Sequence, residues 1–172
     1  MAHSQDSSHF LPAADFATVI RSTPLVSIDL IVRRPDGAVL LGQRHNEPAK
    51  GFWFVPGGRI RKNERLDAAF RRLLATETGF TAARSDAVPM GVYEHLYDTN
   101  ALGDPGFGTH YVVIAYELNV PQDAVAVTDS QHSHFRWQMP ADLLGDAAVH
   151  PNTKAYFSAV NSDTGTLSPM AL

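Results

Sequence analysis

Glu77 falls where a helix should be apolar. Leu66, Ala69, Phe70, Leu73 and Leu74 recur at the i, i+3, i+4, i+7, i+8 spacing of one helix face. At about 100° per residue Glu77 lies inside that stripe, close to Phe70. A carboxylate on a buried face is costly unless something positive meets it, and the C-terminal end of a helix is the wrong end for an anion. A Lys or Arg answers that need, and so does a bound divalent cation. The Gly57-Gly58 pair ahead of the helix lets backbone approach a ligand closely and offer carbonyl oxygen. Backbone oxygen with carboxylate suits a hard cation such as magnesium.

Charge distribution is the second chemical signal. Ten of the 14 Lys and Arg residues lie between positions 33 and 72, against Asp36, Glu47, Glu64 and Asp67, so this stretch is net +6 and the remainder net −10. A basic island on a chain of net charge −4 suits a small anionic ligand, with a solvated charged face as the plain alternative. The overall balance argues against a nucleic-acid partner, whose binding rests on neutralising many phosphates. The lack of cysteine excludes disulfides, thiolate metal sites and cysteine nucleophiles, and fits a reducing compartment, with the cytoplasm as the expectation. A polar N-terminus and the lack of any long apolar run predict neither secretion nor a membrane partner.

The elements that must position these groups are legible in outline. Positions 25–32 alternate as a strand, with Val26, Ile28, Leu30 and Val32 on one face and Ser27, Asp29 and Ile31 on the other. Asp36-Gly37 marks a turn into a second strand at 39–41, making a hairpin. A short aromatic strand follows at 52–55, where Phe52, Trp53 and Phe54 read as core. Asn63 is the predicted start cap of the helix and Gly79 its end. Glu64 reads as a helix-start acid. Further strands are predicted at 90–97, 110–118 and 134–138, a short helix from Pro140, and a terminal helix at 153–160. Strands before and after one central helix give an α+β fold, a mixed α/β sandwich whose central mixed sheet is flanked by helices. One domain is expected at 15–161, with flexible tails at 1–14 and 162–172. The loop 98–108 is a connection or a lid.

Gly58, Glu64, Arg72, Glu77 and Gly79 keep the spacing of the Nudix box, G-x5-E-x7-RE-U-x-EE-x-G-U with U aliphatic, and on these residues the chain resembles the Nudix hydrolases. Leu73 and Thr76 depart from the box, each standing where it has Glu. The same two departures mark the GDP-mannose mannosyl hydrolase branch. This chain is similar to that branch at Asp15 to Val19, Arg21 to Ser27, Trp53 to Arg59, Thr109 to Val113, Gln131-His132, Arg136-Trp137 and Asn152 to Phe157.

The resemblance implies a Nudix fold and hydrolysis of GDP-mannose or GDP-glucose, with water attacking the anomeric carbon and GDP leaving. It implies that Gly57, Glu77 and Gln131 hold magnesium, with manganese as a substitute. It implies His132 as general base, a role that its near-neutral intrinsic pKa suits. Arg44, Arg59, Arg72 and Tyr111 correspond to groups that steady the departing diphosphate. Asp29 can meet a sugar hydroxyl or form a structural ion pair. Arg72, opposite the apolar stripe, can meet phosphate or stay solvated. Phe16 can stack on guanine, across the interface of the homodimer that the branch implies, or serve as a buried aromatic staple. His95 is counted with the substrate-binding residues; an ordinary surface histidine is the alternative for it and for His110. The competing functions are a pyrophosphatase cutting the P–O–P bond of a nucleotide sugar or triphosphate, and a non-catalytic nucleotide-binding module.

Overall fold

Nearly every residue of the first strand, β1 (Leu25–Arg33), is buried, because its two faces serve two cores. The computed structural model describes residues 11–126 and 132–158, apart from the side chains of His132 and Ser133. Ile28, Leu30 and Val32 pack with Phe70, Leu73 and Leu74 of helix α2 (Leu66–Thr78), whereas Ile31 packs with Val39, Leu41, Leu143 and Val149. A strand covered on both sides needs little polar alternation, which accounts for the apolar run at 30–32. Val26, read from alternation as a core position, is 44% exposed and lines a surface groove with Leu25 and Ile60.

β1 is central to a seven-stranded mixed sheet of order β3-β2-β1-β6-β5, with β4 paired to β1 and β7 to β2. It runs parallel to β6 (Thr109–Asn119) along its whole length. On its other side it pairs with β2 (Val39–Arg44) only at Arg33–Val39, then with β4 (Gly57–Arg59) at Ser27 to Asp29. β2 instead carries β3 (Trp53–Phe54) and β7 (His132–Gln138), and β5 (Val88–Tyr97) covers the outer edge of β6. The change of partner along β1 splays the sheet into two halves.

Helices α1 (Ala13–Ser22), α2, α3 (Pro140–Gly145) and α4 (Pro151–Ala155) flank this sheet, as expected for the α+β architecture. Gly79 ends α2 in the left-handed conformation, φ 77°, its N–H bonded to the Ala75 carbonyl. Three expectations need correction. Helix α1 had no counterpart in the sequence reading; it buries only Ala17 and Ile20 fully. The N-cap of α2 is Arg65 without a side-chain bond, while Asn63 sits in a left-handed turn, φ 63°, two residues too early to cap. The terminal helix is the short α4, begun by Pro151 and capped by His150, whose Nδ1 accepts from the Asn152 N–H at 3.2 Å. No described helix is long and apolar enough to cross a membrane.

Candidate active site

A cleft of about 520 Å3 opens where the two halves of the sheet part. Its floor comes from β1. Asp29, 8% exposed, faces Gly57 across the β1–β4 ladder. A Cβ on Gly57 would come within 2.6 Å of Asp29 Oδ1 and 2.5 Å of the Ile28 carbonyl oxygen, so the strands meet only because that residue is glycine. A Cβ on Gly58 would come within 2.7 Å of Leu73 Cδ2, which shows how closely α2 docks on the turn.

Asp29 Oδ2 accepts from the Tyr156 hydroxyl at 2.7 Å, and His95 Nε2 lies 3.2 Å from the same hydroxyl. Burial pushes the Asp29 carboxyl up to about 6, against the opposing effects of the Tyr156 bond and the Arg44 charge. Burial, aided by His150, pushes His95 down to about 4. At neutral pH the floor therefore holds an ionised carboxylate and a neutral imidazole.

The walls are cationic and aromatic. Arg44, at the end of β2, has its guanidinium 5.7 Å from the Phe54 ring centre, and Arg59, at the end of β4, lies 4.1 Å over the ring of Phe16 from α1. Tyr111 on β6 is half-buried beside both; desolvation raises its phenol and the two guanidinium charges act against that. Ala101, Leu102 and Gly103 of the 98–108 loop close one side. Asn100, 1% exposed, holds that loop by donating to the Asp104 and Phe107 carbonyls at 2.7 and 2.9 Å and accepting from the Leu102 and Asp104 N–H groups. Thr99 ties it to the opposite rim through Glu47 at 2.8 Å. The loop is a built wall as well as a connection.

Glu77 is not among the residues lining this cleft, whereas seven other candidate site residues are: Phe16, Asp29, Arg44, Gly57, Arg59, His95 and Tyr111. Arg72 does not line it either. Its guanidinium grips both oxygens of Glu64 at 2.7 Å and donates to the Arg59 carbonyl at 3.0 Å, so it is neither solvated nor in the cleft. Glu64 correspondingly does not cap α2; it binds Arg72 and accepts from the Arg61 N–H, pinning the β4–α2 turn to the helix. Phe16 shows the ring contact with Arg59 in place of a purely buried staple. Of the aromatic run read as core, Phe54 is buried but Phe52 is 38% exposed. His110 lies 3.4 Å from Glu94, away from the cleft lining. Gln131 lies outside the described residues, as does the side chain of His132, whose backbone pairs with Arg44.

Sequence reasoning missed Tyr156 and His150. His150 packs 4.7 Å from the Phe54 ring and 5.5 Å from Tyr97, behind the cleft. The only advance signal for Tyr156 was the likeness at Asn152 to Phe157, which named no role, and His150 had none.

A divalent metal fits the described donors. Glu77 is 2% exposed near the C-terminal end of α2, where helix carbonyls disfavour an anion. The bare backbone of Gly57 lies against the buried carboxylate of Asp29. Among the described residues no three of His, Cys, Asp and Glu form a cluster that could hold a metal by themselves. A divalent ion held by so few protein oxygens would keep water and substrate phosphate among its ligands.

The NUDIX domain description matches residues 23–159. The chain is 36% identical over 153 residues to the low-salt glycan biosynthesis protein Agl8 of Haloferax volcanii, covering 88% of this chain and 91% of that protein. The MutT protein of Methanosarcina mazei shares the fold with a TM-score of 0.64 at 19% identity, covering 79% of this chain and 92% of that one. So does the NUDIX domain of Shewanella oneidensis NrtR, solved with ADP ribose, with a TM-score of 0.59 at 21% identity, covering 85% and 96%.

Proposed function

The chain belongs to the Nudix family of hydrolases, and from that premise we propose that it hydrolyses GDP-mannose, and GDP-glucose as a second substrate, to GDP and free sugar by attack of water at the anomeric carbon. The observation that carries this reading is the scarcity of carboxylates on α2. Leu73, 2% exposed and fitted against Gly58, occupies one position where the box has Glu; Thr76 occupies the other, exposed, with its hydroxyl on the Arg72 carbonyl at 2.9 Å. Of the two acids on the helix, Asp67 is exposed and paired with Arg84, leaving Glu77 as the buried one. That is thin support for a multi-metal attack on phosphorus. It is sufficient for a reaction whose main electrostatic demand is the departing diphosphate.

In this reading Arg44, Arg59 and Tyr111 receive the diphosphate as its charge develops, and the Arg59–Phe16 contact keeps one guanidinium from swinging out. Arg72 acts at one remove, holding the Arg59 carbonyl and Glu64. The ionised Asp29 faces the cationic sugar carbon of an oxocarbenium-like transition state, with His95 beside it. His132 takes the proton of the attacking water; the new bond is carbon to water oxygen, and the carbon to phosphate-oxygen bond breaks with its electrons leaving on GDP. Glu77, Gln131 and the Gly57 carbonyl would hold magnesium, with manganese as a substitute, and the bound ion supplies positive charge to the leaving diphosphate. Two relatives accord with the substrate class: the Haloferax protein carries glycan biosynthesis in its name, and the ADP ribose of the Shewanella domain is also a nucleoside diphosphate joined to a sugar.

Product analysis tests the proposal. Incubation with GDP-mannose and magnesium should give GDP and mannose. GMP with mannose 1-phosphate would make the protein a pyrophosphatase, and tight GDP binding with no turnover would make it a binding module.

A further inference from the structure

The carboxylate that faces the sugar in the proposed reaction is held from behind by a residue that does not line the cleft. Tyr156 is 6% exposed and follows directly on α4. It reaches Asp29 because the terminal segment is docked on β3: the His150 N–H donates to the Trp53 carbonyl at 3.1 Å, and the Val55 N–H donates to the Thr153 hydroxyl at 3.3 Å. Its ring packs edge-on to Tyr93, with centroids 4.7 Å apart.

A phenol has one proton to give. At Tyr156 that proton goes to Asp29 Oδ2 at 2.7 Å, so the contact at 3.2 Å with His95 must run the other way, with Nε2–H donating to the phenol oxygen. The three groups form a directed chain, His95 to Tyr156 to Asp29, each member under 9% exposed. With Oδ2 engaged behind, Oδ1 is the oxygen left beside Gly57 and the cleft.

We propose that Tyr156 is a positioning residue of this hydrolase, fixing the rotation of the Asp29 carboxylate so that Oδ1 is presented to the substrate, and fixing His95 in its Nε2–H tautomer. This rests on the reading of the cleft as the hydrolytic site. The role is distinct from packing, because Tyr156→Phe keeps the ring and deletes only the hydroxyl.

The experiment has a structural and a kinetic arm. Crystal structures of the wild type and of Tyr156→Phe should show the Asp29 carboxylate turned about its side-chain axis in the variant; an unmoved carboxylate overturns the proposal. With GDP-mannose, Tyr156→Phe should lower kcat about tenfold, the order expected for loss of one hydrogen bond to a charged group, while KM stays within about twofold. In an Asp29→Asn background the same substitution should cost nothing further, since its effect runs through the carboxylate. An unchanged kcat in the single variant, or a full additional loss in the double variant, also overturns it. If the wild type itself turns over no GDP-sugar, the functional reading falls, and the carboxylate rotation still decides the role of Tyr156.

Discussion

Asp29 shows how far one residue can be read from its neighbours in sequence. Alternation along β1 put it on the face opposite Ile28, and it does lie on the cleft side, but its partners were beyond the reach of any local pattern. Tyr156 lies 127 positions away and Gly57 meets it across a ladder. Arg72 makes the converse point: its angle on the helix separated it correctly from the apolar stripe, yet its bidentate grip on Glu64 depends on the shape of the intervening turn. His95, for which a surface position was the alternative, is 4% exposed and held down to about 4. A test follows from the sign of that shift. Above the ordinary value of 6.5 His95 is neutral in both folded and unfolded chains; below it the unfolded chain takes up a proton that the native state refuses until about pH 4. The His95 contribution to stability is thus lost as pH falls through that window. Urea unfolding at pH 7 and pH 5 should show a smaller pH loss for His95→Gln than for the wild type; equal losses would contradict the buried neutral imidazole.

At the scale of elements, α2 was the most legible part of the chain because its apolar period is long and Gly79 ends it. Its start was misread since Asn63 has a capping side chain but adopts a left-handed turn, leaving Arg65 at the boundary. Helix α1, ten residues long with Ala17 and Ile20 buried, has an amphipathic period that the sequence reading passed over. The two box departures on α2 differ in what they bury, which gives a second prediction. Leu73→Glu, although it restores the box, puts a carboxylate into the core against Phe70 and Leu74 and should destabilise the metal-free protein by about 3 kcal/mol or more. Thr76→Glu, on the exposed side, should change stability by no more than about 0.5 kcal/mol. Chemical denaturation of both variants in a chelator checks the contrast; equal effects would mean that Leu73 is not the anchor of α2 on Gly58.

For the molecule as a whole, composition announced a basic island but could not say how it is divided. Arg33 pairs with Glu117, Arg34 covers the Trp137 ring at 3.9 Å and Arg72 holds Glu64, while Arg44, Lys50 and Arg59 line the cleft. The cationic wall arises because β1 exchanges β2 for β4 along one edge, bringing the ends of β2 and β4 to the same opening. Fold class could be anticipated from strand and helix periods, whereas Phe16, Arg44, Arg59 and Tyr111 of the cleft were indicated only by the likeness to the family branch. The backing of the cleft by α4 could not, since it depends on a strand-to-helix docking with no sequence period. What the molecule does with this cleft turns on which bond is broken. Hydrolysis of GDP-mannose in oxygen-18 water, with both products examined by mass spectrometry, addresses that directly. The account predicts the label in mannose and none in the nucleotide; label in a phosphate, on GMP or on mannose 1-phosphate, would contradict attack at the sugar carbon.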